Sequence, residues 1–153
     1  MKPKTISSIK AMQEFAKEVV KRVKQIPASN HALVIALTGD LGSGKTTFTR
    51  EFAQLLGVKQ LVISPTFLIF RPYQISKKAV IPYTHLYHVD LYRIDHDKEL
   101  IPLGFKALLK NPNYIVVIEW AEKIKKLLPK SALWIEFQHG VKESERIVVV
   151  REK

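Results

Sequence analysis

Two stretches of the chain are apolar without interruption, Leu33-Val34-Ile35-Ala36-Leu37 and Tyr114-Ile115-Val116-Val117-Ile118. Unbroken runs of this length predict strands buried on both faces of a parallel sheet. Elsewhere the spacing is helical. Over residues 7–26, Ile9, Met12, Phe15, Ala16, Val19, Val20 and Val23 form one stripe with Lys10, Lys17, Lys21 and Lys24 outside it, and Ser7 or Ser8 stands where an N-cap belongs. Phe48, Phe52, Leu55 and Leu56 repeat the helical period behind the first strand, and Gly57 follows where a helix stops. Residues 66–73 and 80–90 alternate and are rich in aromatic and β-branched side chains, which predicts a β-hairpin across the polar stretch 74–78. Residues 97–110 predict short helices broken at Pro102 and Gly104, and 121–128 a further short helix. Residues 133–137 and 147–150 predict a closing strand pair around His139-Gly140.

The junction between the first strand and its helix carries the chemistry. It reads Gly39-Asp40-Leu41-Gly42-Ser43-Gly44-Lys45-Thr46, a full match to the phosphate-binding pattern G-x-x-x-x-G-K-[ST]. A loop between a strand end and a helix N-terminus aims successive backbone N–H groups and the helix dipole at an anion. Gly42 and Gly44 permit close approach of the backbone to phosphate oxygens, Lys45 reaches the β and γ phosphates, and Thr46 offers a hydroxyl to Mg²⁺. A single-domain α/β fold of the P-loop NTPase type follows, with a central mixed sheet, a parallel core plus antiparallel strands, flanked by helices. Within one domain over 1–153 we expect an N-terminal helix at 7–26, a nucleotide-binding core at 33–128 and a C-terminal strand pair at 131–151.

Such a loop needs a carboxylate at the end of a neighbouring strand, to hold Mg²⁺ directly or through water. Glu119 ends the run Ile115 to Ile118, and Asp90 ends Leu86 to Val89 beside Tyr92 and Arg93. Glu119 is the better metal ligand on this reading, standing at the end of an apolar strand where P-loop enzymes usually carry Asp. Ser64-Pro65-Thr66-Phe67 is placed like a switch segment whose hydroxyls approach the γ-phosphate, although the same residues also suit an ordinary turn into a strand.

Length and composition narrow the setting without changing that reading. The 153 residues suffice for one well-buried core, and 46% hydrophobic with 25% charged residues is ordinary for a globular protein. No cysteine is present, which removes disulfides and thiolate chemistry. No run is long enough to span a membrane and the N-terminus lacks a signal-like apolar stretch, so a cytoplasmic protein is expected. A net charge of +11 asks for an anionic partner. The lysines are scattered, so the charge does not choose between a solvated basic surface and a nucleic-acid patch.

Taken in order, Gly39 to Phe48, Ser64-Pro65-Thr66-Phe67, His88-Val89-Asp90-Leu91-Tyr92-Arg93, Glu99-Leu100 with Gly104, and Glu119-Trp120 resemble the TsaE (YjeE) family across about residues 7–150. The resemblance implies a bacterial P-loop ATPase required for threonylcarbamoyladenosine in tRNA, next to the anticodon. Such a protein works with the TsaB and TsaD proteins, its hydrolysis of ATP resetting that complex, and meets tRNA through it. By motif, the resemblance assigns ATP binding to Gly42, Ser43, Gly44, Lys45, Thr46 and Thr47, and Mg²⁺ to Thr46 and Glu119. It sets Asp90 and Thr66 near the γ-phosphate, so that Lys45, Asp90, Glu119 and Thr66 are the candidate catalytic residues. It also places Trp120 beside the site or at the partner surface, and Arg146 near a family arginine. The chain departs from the family pattern at Met12, where a Thr commonly stands.

Two other classes of function share the loop. A small-molecule or nucleoside kinase would add an acceptor pocket and an arginine-bearing lid, and only Arg71 and Arg93 lie in the middle of this chain. An RNA-binding module that uses nucleotide as a switch would draw on the basic charge.

Overall fold

The computed structural model describes residues 2–27, 29–65 and 69–151. Helix α1 (Ile9–Val23) starts at Ser8, whose side chain accepts a hydrogen bond from the Ala11 amide at 3.1 Å, and buries Met12, Phe15, Ala16, Val19 and Val23. The first apolar run becomes β2 (Leu33–Thr38), the second β5 (Tyr114–Glu119). They pair in parallel with Leu33 opposite Ile115 and Leu37 opposite Glu119. Around them the sheet has the order β1-β7-β6-β2-β5-β4-β3, completed by β1 (Lys4–Ile6), β3 (Phe70–Gln74), β4 (His85–Asp90), β6 (Leu133–His139) and β7 (Arg146–Arg151). Strands β6, β2, β5 and β4 run parallel at its centre, while β1, β3 and β7 pair antiparallel at the two sides. The expected mixed sheet with a parallel core is therefore the observed one. Among the described residues no helix is long and apolar enough to cross a membrane.

Alternation along β2 and β5 assigns the two faces. Leu33, Ile35, Leu37, Ile115 and Val117 face α1 and α2 (Lys45–Leu55), whereas Val34, Ala36, Val116 and Ile118 face α3 (Phe105–Leu109) and the 3₁₀ turns at Asp97–Leu100 and Ala121–Leu127. On the first face Phe48 is fully buried among Phe15, Phe52 and Phe137, with ring centroids 5.5, 5.7 and 5.8 Å away. These rings lock the first turn of α2 to α1 and β6, and hence hold the loop that precedes it.

Two local details depart from expectation. The hairpin is shorter than its alternating pattern: β4 begins at His85 rather than 80, because a 3₁₀ turn at Lys77–Ala79 leads into Val80 with φ 52° and then Pro82, a residue with no N–H to give a ladder. In the other strand Pro72 is tolerated because β3 lies at the sheet edge; the start expected at residues 66–68 lies outside the described residues. Strand β1 has no counterpart in the sequence reading, since three residues carry too little periodicity, and its order comes from pairing with β7.

Candidate nucleotide site

The carboxyl ends of the parallel strands meet the N-terminus of α2 at a cleft of about 630 Å³, the crevice where α/β sheets place ligands. Gly42 is left-handed at φ 72° with nothing within 4 Å of where a Cβ would stand, and Gly44 precedes the first residue of α2. The backbone is thus open toward the cleft. Ser43, fully buried, and Thr47, lining the cleft, complete the loop residues named above.

Lys45 is folded back into its own loop. Its Nζ donates to the carbonyls of Gly39 at 2.6 Å and Asp40 at 2.8 Å, approaches Ser43 Oγ at 3.4 Å, and lies 4.3 Å from the centroid of the Trp120 ring. The residue is only 4% exposed. Burial pushes the ammonium below the ordinary lysine range, against the opposing pull of Glu119, Glu122, Asp90 and Asp40. A phosphate oxygen arriving at this ammonium would replace neutral carbonyl partners with a charged one, a stronger hydrogen bond.

The two acids occupy different surroundings. Glu119 is 3% exposed; its Oε2 accepts from the Thr46 hydroxyl at 3.0 Å and its Oε1 from His88 Nε2 at 2.8 Å. Asp90, opposite Glu119 on the neighbouring strand, accepts from the Ser64 hydroxyl through Oδ2 and from the Tyr92 amide at 3.0 Å through Oδ1. A hydroxyl that gives its hydrogen to Glu119 keeps its oxygen lone pairs for a cation, so Thr46 and Glu119 form a fitting pair for Mg²⁺. Among the described residues no group of three or more His, Cys, Asp or Glu could hold a metal alone.

The structure thus gathers Lys45, Thr46, Asp90 and Glu119 at one cleft, with Ser64 tied to Asp90; Thr66 and Phe67 lie outside the described residues. Trp120 lies beside the site, at φ 60°, its ring 5.4 Å from that of Tyr92. Lys123 ties the segment after β4 to the turn that follows Trp120 by donating to the carbonyls of Tyr92 and Ile94. Arg146 donates from Nε to the Gly42 carbonyl at 3.1 Å, which puts it against the phosphate loop. Sequence reasoning gave no role to His88 or Lys123. An alternating apolar strand interrupted by His at an inward position was the available signal for the first.

A family model described as threonylcarbamoyl adenosine biosynthesis protein TsaE matches residues 6–148. The chain belongs to the TsaE family. It is 38% identical over 114 residues to the tRNA threonylcarbamoyladenosine biosynthesis protein TsaE of Bacillus subtilis, a match that covers 74% of this chain and 66% of that protein. To the TsaE of Haemophilus influenzae it is 32% identical over 137 residues, 90% of this chain and 79% of the relative. The crystal structure of Bacillus subtilis YdiB superposes with a TM-score of 0.70 at 28% identity, covering 97% of this chain and 83% of that one. In this TsaE-family chain Met12 is buried, and its methyl would lie 3.3 Å from a Cβ on Gly44. Met12 is therefore an apolar buttress from α1 against the loop.

Proposed function

We propose that this protein is a Mg²⁺-dependent ATPase that supports threonylcarbamoyladenosine modification of tRNA in the cytoplasm, acting with TsaB and TsaD and meeting tRNA through them. The observation that carries the reading is the convergence of Lys45, Thr46 and Glu119 at the N-terminus of α2, within a family whose described role is that biosynthesis. In the reaction, water attacks the γ-phosphorus as the bond to the β,γ-bridging oxygen breaks, releasing ADP and phosphate. Loop amides and Lys45 bind the phosphates and stabilise the charge that develops on them. Glu119 and Thr46 would hold magnesium, which neutralises charge on the β and γ phosphates when bound. Asp90, which lines the cleft and is held by Ser64 and the Tyr92 amide, or Glu119 would orient the attacking water.

Slow hydrolysis alone is expected, and stimulation on adding TsaB and TsaD. Phosphate release measured for the chain alone and with both proteins tests this; a fast, partner-independent rate would count against it. Glu119→Gln keeps the volume and removes the charge, and should lower kcat about 100-fold, the scale of one lost electrostatic stabiliser. Single-turnover hydrolysis on protein shown by thermal melting to be folded checks that figure, and an unchanged kcat would remove Glu119 from the chemistry.

A further inference from the structure

His88 is a buried polar residue that the proposed reaction does not use. Its side chain is fully buried in β4, on the α2 face of the sheet, two residues before Asp90. Nε2 lies 2.8 Å from Glu119 Oε1. An ionised carboxylate only accepts, so Nε2 carries the hydrogen of this bond. Nδ1 is also buried and has no hydrogen-bond partner among the described residues. A hydrogen on Nδ1 would be buried with no acceptor there, whereas a bare lone pair forfeits less. Nε2 is therefore the ring atom that serves Glu119, and Nδ1 has no partner among the described residues.

We propose that His88 is a positioning residue for Glu119: the Nε2 contact fixes the carboxylate through Oε1, and Oε2 is thereby aimed at Thr46 and the cleft. The inference rests on the proposed magnesium nucleotide site. It explains why the strand carries histidine where an aliphatic residue would pack at less polar cost. Without His88 the carboxylate would keep, among the described residues, the Thr46 hydroxyl alone at hydrogen-bond distance and could turn away from the cleft. The arrangement matches the general behaviour of outer partners of metal ligands, whose loss costs about 10- to 100-fold in metal affinity or activity.

The test compares His88→Leu, which fills the space without a donor, with His88→Gln, whose amide N–H₂ replaces the Nε2 donor. For each, affinity for a non-hydrolysable ATP analogue is measured by calorimetry with and without Mg²⁺, alongside thermal melting. His88→Leu should lose about 10- to 100-fold of the gain that Mg²⁺ brings, leave metal-free affinity near that of the wild type, and lower kcat more than it raises KM. His88→Gln should restore most of the gain. Nitrogen-15 spectra of the wild-type ring should show a protected Nε2–H that loses its protection in Glu119→Ala; a wild-type ring protonated at Nδ1 alone overturns the proposal. So does a folded His88→Leu that keeps the full Mg²⁺ gain. If His88→Leu does not fold, His88→Gln with a wild-type gain supports the role, and a Gln variant that is folded but loses the gain refutes it. A wild-type chain that binds no nucleotide overturns the proposed function and the positioning role with it, whereas wild-type binding with an indifferent His88 overturns the positioning alone.

Discussion

Lys45→Met should raise the melting temperature of the nucleotide-free protein while weakening ATP binding about 30- to 4,000-fold, since truncating a desolvated, hydrogen-bonded charge facing its partner costs about 2–5 kcal/mol. The two halves of that result share a cause. Lys45 is nearly inaccessible to water, and its contacts with the Gly39 and Asp40 carbonyls and the Trp120 face do not replace the lost hydration, so its pKa falls below the ordinary 10.5. A lysine with a lowered folded-state pKa weakens the fold wherever the ammonium is charged, which includes neutral pH. The penalty disappears as pH rises through the folded-state pKa toward 10.5. A positive charge at the N-terminus of α2 also opposes the helix dipole. Methionine keeps the stem against Trp120 and removes both costs. Differential scanning calorimetry from neutral to alkaline pH should show the gap between wild type and Lys45→Met closing as the lysine deprotonates. A variant that melts lower than the wild type at neutral pH, or binds ATP as tightly, would be incompatible with this account.

Gly39→Ala should be close to unfolding the protein, with a loss of more than about 4 kcal/mol, the range reserved for severe backbone or packing conflict. Gly39 has φ 127°, a region that side chains rarely adopt, and an added Cβ would lie 2.1 Å from the backbone oxygen of Phe137. That oxygen belongs to β6, so it cannot move without disturbing the pairing with β7. Gly42→Ala is the informative contrast: it is also left-handed, at φ 72°, but has no atom within 4 Å of the new methyl, and it should lose only about 1–2 kcal/mol. Urea unfolding of the three proteins checks the order, and a Gly39→Ala variant within about 1 kcal/mol of wild type would contradict it. In this loop, then, one glycine serves packing against the sheet while another leaves room for a ligand.

The extent to which the site can be read from the chain follows the range of the interactions that build it. The loop and its flanking strand and helix are local: apolar run, glycines, lysine and helical spacing lie within about 25 residues and report on one another. Placing Glu119 at the end of its strand also needs only local pattern. Its partners do not follow from local pattern, because Thr46 lies 73 residues away and His88 31 residues away. Which strand lies beside β5 decides whether a histidine two residues before Asp90 faces Glu119 or solvent, and alternation assigns a face but no neighbour. Arg146 reaches Gly42 across 104 residues for the same reason.

Hydrophobic periodicity and the phosphate-loop pattern, by themselves, determined the strand–loop–helix unit, the buried parallel strands and the identity of the acids at their ends, since backbone geometry and burial act on neighbouring residues. Only the tertiary structure decided the order β6-β2-β5-β4, the short β1, the delayed start of β4 and the chain of contacts from His88 through Glu119 to Thr46. Those depend on which distant segments share a face of the sheet and which backbone N–H groups find partners, and both are settled when the whole core closes.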